Sequence, residues 1–129
     1  MSAPGEPLIP GPDHPIAIEP FSGQVRVTFA HHTVVDTSNA LELREASHPA
    51  RYYVPLAEVD HGALRQSDTT TYCPYKGEAS YYDVIDPHTL QSVDDAVWHY
   101  RDPYPSVNEI AGHVAFYPNK VDVEVQPAG

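Results

Sequence analysis

The chain has 129 residues, with 18 acidic side chains against 7 Lys plus Arg and a formal charge of -11. That length suits one domain burying roughly two thirds of its unfolded surface, and the charge sets it against nucleic-acid backbones and anionic membrane surfaces. Its single cysteine excludes an internal disulfide, a zinc ribbon and a redox Cys-x-x-Cys pair, so the expected setting is reducing and cytoplasmic, with no structural zinc and no defined cofactor.

Six of the fourteen prolines fall in residues 1–20, which predicts an extended, polyproline-like arm rather than helix or ladder. Met1–Pro12 is expected to be loose, and Ile16 and Ile18 to lie down on the domain that follows, residues 21–126. The arm has neither a basic region nor an apolar run of signal-peptide length, and no later stretch reaches the roughly 18 apolar residues of a membrane span. No membrane partner is expected.

From Gln24 the pattern has period two: Val25, Val27 and Phe29 alternate with Gln24, Arg26 and Thr28, a half-buried strand. Ala30–His32 reads as a turn, Thr33–Thr37 as a second strand and Ala40–Glu45 as a third. Arg51–Pro55 is an aromatic strand closed by proline, and Leu56–Leu64 has room for one or two short helical turns.

Thr69–Tyr82 reads as a hairpin, because β-branched and aromatic residues flank a Pro-x-x-Gly turn. A four-residue loop, Pro74–Gly77, places Cys73 opposite Glu78, with Thr71, Ser80, Thr69 and Tyr82 on the same face. Tyr72, Ala79, Thr70 and Tyr81 then share the other face. Ala96–Tyr100 is a further strand with Trp98 and Tyr100 on one side and Val97 and His99 on the other. Ser106–Glu109 fits a capping box opening a short helix that Gly112 ends. His113–Tyr117 and Val121–Val125 read as a closing hairpin around Pro118–Lys120. About eight short strands with little helix make the class all-β and mostly antiparallel.

Five blocks then carry a resemblance: His14–Pro20, Tyr53–Pro55, Cys73–Tyr82, Ala96–Tyr100 and Gly112–Tyr117. In this order and spacing, from about His14 to Val125, the chain resembles the domain of unknown function 427 family, also filed as nucleotidyltransferase-like. The resemblance implies a β-tent-like fold: two antiparallel sheets that meet at one edge, with a cleft between them. Relatives of that fold often bind zinc through paired Cys-x-x-Cys motifs, which are absent here.

The candidate chemistry clusters at the hairpin. Cys73, beside Lys76 and within possible reach of His99 or His113, offers a nucleophile or redox thiol. A lone cysteine is more often a small core hydrophobe, and Glu78 opposite it disfavours the thiolate. Lys76 in a tight turn can meet an anion, and Arg26 is the expected second cation. Tyr81, Trp98 and Tyr100 are the expected cleft wall, although aromatic residues in small β domains are more often core. The site so read has Cys73 and Glu78 as catalytic candidates and Arg26, Lys76, Tyr81, Trp98, Tyr100 and His113 as ligand-binding ones. No metal is assigned. His99, His113 and Glu78 are the most plausible metal partners should the fold gather them. Asp94-Asp95 lacks the Gly-Ser setting that the nucleotidyltransferase label would require for magnesium, and no Gly-x-x-x-x-Gly-Lys loop is present.

The resulting expectation is a domain that binds a small, anionic molecule or carries out an undefined reaction on it. The alternatives are a non-enzymatic structural or interaction domain, self-associating through its aromatic face and arm, and a nucleotidyltransferase-like or metal-dependent enzyme.

Overall fold

Alternating burial organises ten strands in a computed structural model of the protein, which describes residues 7–128. They are β1 (Ile16–Pro20), β2 (Gly23–Phe29), β3 (His32–Thr37), β4 (Leu41–Glu45), β5 (Arg51–Pro55), β6 (Leu64–Cys73), β7 (Gly77–Ile85), β8 (Ser92–His99), β9 (His113–Phe116) and β10 (Asp122–Pro127). Helix is confined to 3₁₀ turns at Leu56–Glu58, His61–Ala63 and Pro105–Ile110. The all-β antiparallel class holds. Among the described residues, no helix is long and apolar enough to cross a membrane.

Seven strands form one antiparallel sheet in the order β1-β4-β5-β9-β8-β7-β6, and three form a second in the order β10-β2-β3. Two apolar clusters follow from the pleat. Val25, Val27, Val34 and Val35 of the small sheet pack on Val54, Val84, Val97 and Val114 of the large one. The alternate residues of the large sheet, Leu43, Tyr53, Ala79, Tyr81, Trp98 and Ala115, gather on its other face under Val107 and Ile110. Each fully buried valine or leucine contributes about 1.5–3 kcal/mol, so both faces of the large sheet are held by packing.

The large sheet is curled. Four strand spacings separate β4 from β7, about 19 Å in a flat sheet, yet Lys76 in the β6–β7 loop is ion-paired with Glu45 at the end of β4. The arm crosses the same gap. Leu8 N–H donates to Pro74 O over 2.8 Å and Ala46 N–H to Pro15 O over 2.8 Å. Within the stretch expected to be loose, Leu8 is bonded to the loop, while Met1–Glu6 lies outside the described residues. Residues 16–20 go further than lying on the domain, since as β1 they form an edge of the large sheet beside β4.

The hairpin register differs by one residue from the expected pairing. Cys73 is opposite Gly77, Tyr72 opposite Glu78 and Thr71 opposite Ala79, because Gly77 begins β7 and the loop holds only Pro74, Tyr75 and Lys76. A bound of three residues suits a type I turn followed by a residue at positive φ, here Gly77 at +113°. A one-residue slip moves every side chain to the opposite face. Cys73 thus shares a face with Ala79 and Tyr81, and Glu78 points to solvent.

Two more expectations are corrected. Ser106 caps nothing, because Pro105 takes the first position of the 3₁₀ turn after Tyr104, with no side-chain cap. The closing hairpin does not form: β9 pairs with β5 and β8, whereas β10 pairs with β2. A turn in which Lys120 and Val121 N–H both donate to Tyr117 O redirects the chain from one sheet to the other.

Candidate functional site

On the curled face of the large sheet lies a hollow of about 250 Å³, walled by aromatic rings and closed at one side by the β6–β7 loop. Lys76, Trp98 and Tyr100, three of the residues expected at a site, line it together. They meet because Trp98 and Tyr100 leave β8 on the same side, and the loop that bears Lys76 folds back over β4.

Lys76 is only 7% exposed, unusual for a residue that almost never goes inside without a partner. Its Nζ donates to Glu45 Oε1, and Glu45 Oε2 bonds His14 Nε2 at 2.7 Å. Burial raises the Glu45 carboxyl, but the hydrogen bonds and charges of Lys76 and His14 outweigh it and hold the group below the usual carboxylate range. His14 is fixed in turn by stacking on Tyr75, ring centres 3.9 Å apart, with His48 edge-on at 6.3 Å. The lysine charge is therefore already balanced.

Arg51 supplies the charge that is not. It lies one pleat from Tyr53 on β5, so both face the hollow, and its guanidinium sits 5.7 Å from the centre of the Trp98 ring. Among the described residues Arg51 makes no ion pair, which leaves a cation over an aromatic wall. Trp98 is held from behind: its Nε1 donates to Tyr53 Oη over 3.0 Å, and its ring lies 4.4 Å from Tyr117.

The phenols around the hollow stay neutral. Burial pushes Tyr53 and Tyr100 far above the ordinary phenol value, and burial together with the Tyr81 hydroxyl pushes Tyr117 up to about 12. Tyr53 is engaged by Trp98. The Tyr100 hydroxyl has no hydrogen-bond partner among the described residues and remains a free donor and acceptor on the cavity wall.

The other expected residues are distributed differently. Tyr81 lies in the aromatic cluster and its hydroxyl is bonded to Thr71 Oγ1 at 2.9 Å, behind the wall rather than in it. Cys73 is half-buried against the same cluster. Glu78 is exposed on the outer face of the hairpin, and His113 Nδ1 is bonded to Ala111 O at 3.0 Å. The expected pairing of Lys76 with Arg26 is replaced. Arg26 is on β2 in the other sheet, facing Asp36 and Glu124 and lining a separate surface hollow.

Glu45, Arg51 and His14 are not among the residues expected at a site, and Tyr53 and Tyr117 belong to the chain's wider set of aromatic residues rather than to the three expected as the cleft wall. The alternation of Arg51 and Tyr53 within one strand was the available signal for two of them. A second hollow of about 150 Å³ lies between the sheets, lined mostly by apolar residues such as Val25, Val27, Val54 and Phe116, with Arg51 and Tyr52 also on its wall. No group of three or more His, Cys, Asp or Glu side chains among the described residues is placed to hold a metal ion.

No curated protein matches the chain. A sequence model of a family described as a domain of unknown function does match, over residues 17–127, which takes in every strand from β2 to β10 and all but the first residue of β1. With most of its length covered, this chain belongs to the domain of unknown function 427 family.

Proposed function

We propose that the hollow binds a small organic acid, its carboxylate held by Arg51 and its body lying against Trp98. The observation that carries this reading is the charge balance: Lys76 is neutralised by Glu45, whereas Arg51 has no carboxylate partner and stands at the cavity wall. Guanidinium over an aromatic ring is well suited to planar, bidentate recognition of a carboxylate.

Size supports a small ligand. About 250 Å³ is several times the roughly 30 Å³ share of one water and falls below the roughly 300–1,000 Å³ of drug-sized pockets. The free Tyr100 hydroxyl offers an orienting hydrogen bond, and the single thiol suits a protein of the reducing cytoplasm.

Trp98 is the sole tryptophan, so its emission reports the cavity directly. Titration with small monocarboxylates such as lactate should give a saturable change that Arg51→Ala weakens by at least about tenfold, the loss of one charged hydrogen bond. An unchanged response in Arg51→Ala removes the arginine from the site, and no response in the natural protein removes the acid-binding reading.

A further inference from the structure

The cavity wall holds a primary amine as well as a cation, and the two together narrow the ligand. We propose that Lys76 is a carbonyl-reactive amine that forms an imine with small 2-oxo acids whose carboxylate is held by Arg51. This deepens the acid-binding reading and rests on it.

Three features of the site converge on that chemistry. First, a desolvated lysine that opens on a cavity can attack carbonyl carbon once it has given up its proton. Lys76 lines the hollow beside Tyr53, Trp98 and Tyr100 while being 7% exposed. Second, the ammonium has somewhere to send its proton. Glu45 accepts from Nζ and is bonded to His14, whose side chain is 25% exposed, so a relay of two groups joins the amine to solvent. Third, Arg51 and Lys76 border one hollow of about 250 Å³, which favours a ligand whose carbonyl and carboxylate are close together.

The step balances with no further reagent. Lys76 passes a proton out along Glu45 and His14, so that Glu45 is ionised again, and the free amine attacks the carbonyl carbon while the same relay returns a proton to the carbonyl oxygen beside Tyr100. The resulting hydroxyl leaves as water as the C=N bond closes on a protonated imine. One carbonyl and one ammonium become one iminium and one water.

The chain contains only two lysines, Lys76 and Lys120. Lys120 serves as an internal control, since its Nζ is exposed, bonded to Asp94 O at 2.9 Å and set over the ring of Tyr117 at 5.7 Å, and Lys120 does not line the cavity. Full-length protein is incubated with pyruvate, reduced with borohydride, digested and mapped by mass spectrometry, with Trp98 emission followed in parallel for pyruvate and for lactate. Expected are a reduced adduct on Lys76 in excess over Lys120, a loss of at least about tenfold in that adduct for Arg51→Ala, and an emission change with lactate that leaves no adduct. Should lactate perturb Trp98 while pyruvate leaves Lys76 unlabelled, or labels both lysines equally, the imine proposal is overturned and acid binding stands. Should neither compound perturb Trp98 and no adduct form, both are overturned.

Discussion

Lys76 in the β6–β7 loop and Glu45 at the end of β4 form an ion pair that bridges four strand spacings of the large sheet. Their side chains are 8% and 13% exposed, so each charge is poorly hydrated when the other is removed. The pair acts as a clasp on the curl that encloses the cavity.

Glu45→Gln should therefore cost about 3 kcal/mol, in the range for breaking a buried pair by removing one partner. The double substitution Lys76→Met with Glu45→Leu should recover more than half of that, because it leaves no unpaired charge. Urea unfolding of the three proteins measures both quantities. A single-substitution cost below about 1 kcal/mol, the range of exposed pairs, would mean that the clasp is open in solution.

Acid should destabilise the protein in two stages. His99 is buried with its Nε2 unpartnered, and burial, then the Arg101 charge, hold its pKa below the ordinary histidine value. The unfolded chain thus takes up this proton before the folded one does. Stability is complete above the unfolded histidine value near 6.5 and is lost as pH falls from there through the folded value. Glu45 adds the second stage: its folded pKa is depressed, so its contribution is present above the unfolded carboxyl value and is lost as pH falls through the folded one. Urea midpoints taken at about pH 7, 5.5 and 4 should show both declines. His99→Phe, which keeps the ring stacked 4.8 Å from Tyr82, should abolish the upper stage alone and leave the lower one to Glu45 together with Asp60, Asp86 and Asp95, whose hydrogen bonds also hold their carboxyls below the ordinary value.

The charge on Arg51 should be visible to ionic quenchers. A protein of formal charge -11 enriches cations around it, so general electrostatics favour caesium over iodide as a quencher of Trp98. The guanidinium 5.7 Å from the indole should reverse that preference locally. Stern–Volmer constants should favour iodide in the natural protein, and the iodide-to-caesium ratio should fall by roughly twofold or more in Arg51→Ala. Equal ratios in the two proteins would show that Arg51 does not face the ring in solution.

What the sequence disclosed and what it withheld divide along a physical line. Aromatic composition closed by a proline identifies β5 to the residue, and alternation separates Trp98 and Tyr100 from Val97, because both are local properties of one strand. The hairpin register depended on whether Gly77 ends the loop or begins β7, and that single residue moved Glu78 off the face of Cys73. The pairing of β10 with β2 rather than β9 is decided by packing between distant segments. Lys76 was recognised as a possible anion contact, but its partner Glu45 lies 31 residues away and is brought close only by the curl of the sheet. Arg51 stood beside Tyr53 in plain view. Nothing local marks that face as a cavity wall rather than solid core.

The two buried phenols of the cavity offer a last test, since they differ by one hydrogen bond. Tyr53 Oη accepts from Trp98 Nε1 over 3.0 Å in a buried setting, and Tyr53→Phe leaves the indole N–H without a partner, at a cost of about 1–3 kcal/mol. The Tyr100 hydroxyl bonds to nothing among the described residues and faces the hollow, so Tyr100→Phe removes no protein contact and should leave stability within about 0.5 kcal/mol. The functional order is the reverse. If Tyr100 orients the bound acid, Tyr100→Phe should weaken the Trp98 response to lactate by about threefold to tenfold with folding intact. A Tyr100→Phe protein that is destabilised as much as Tyr53→Phe, with lactate binding unchanged, would make Tyr100 a structural residue and take it out of the acid site.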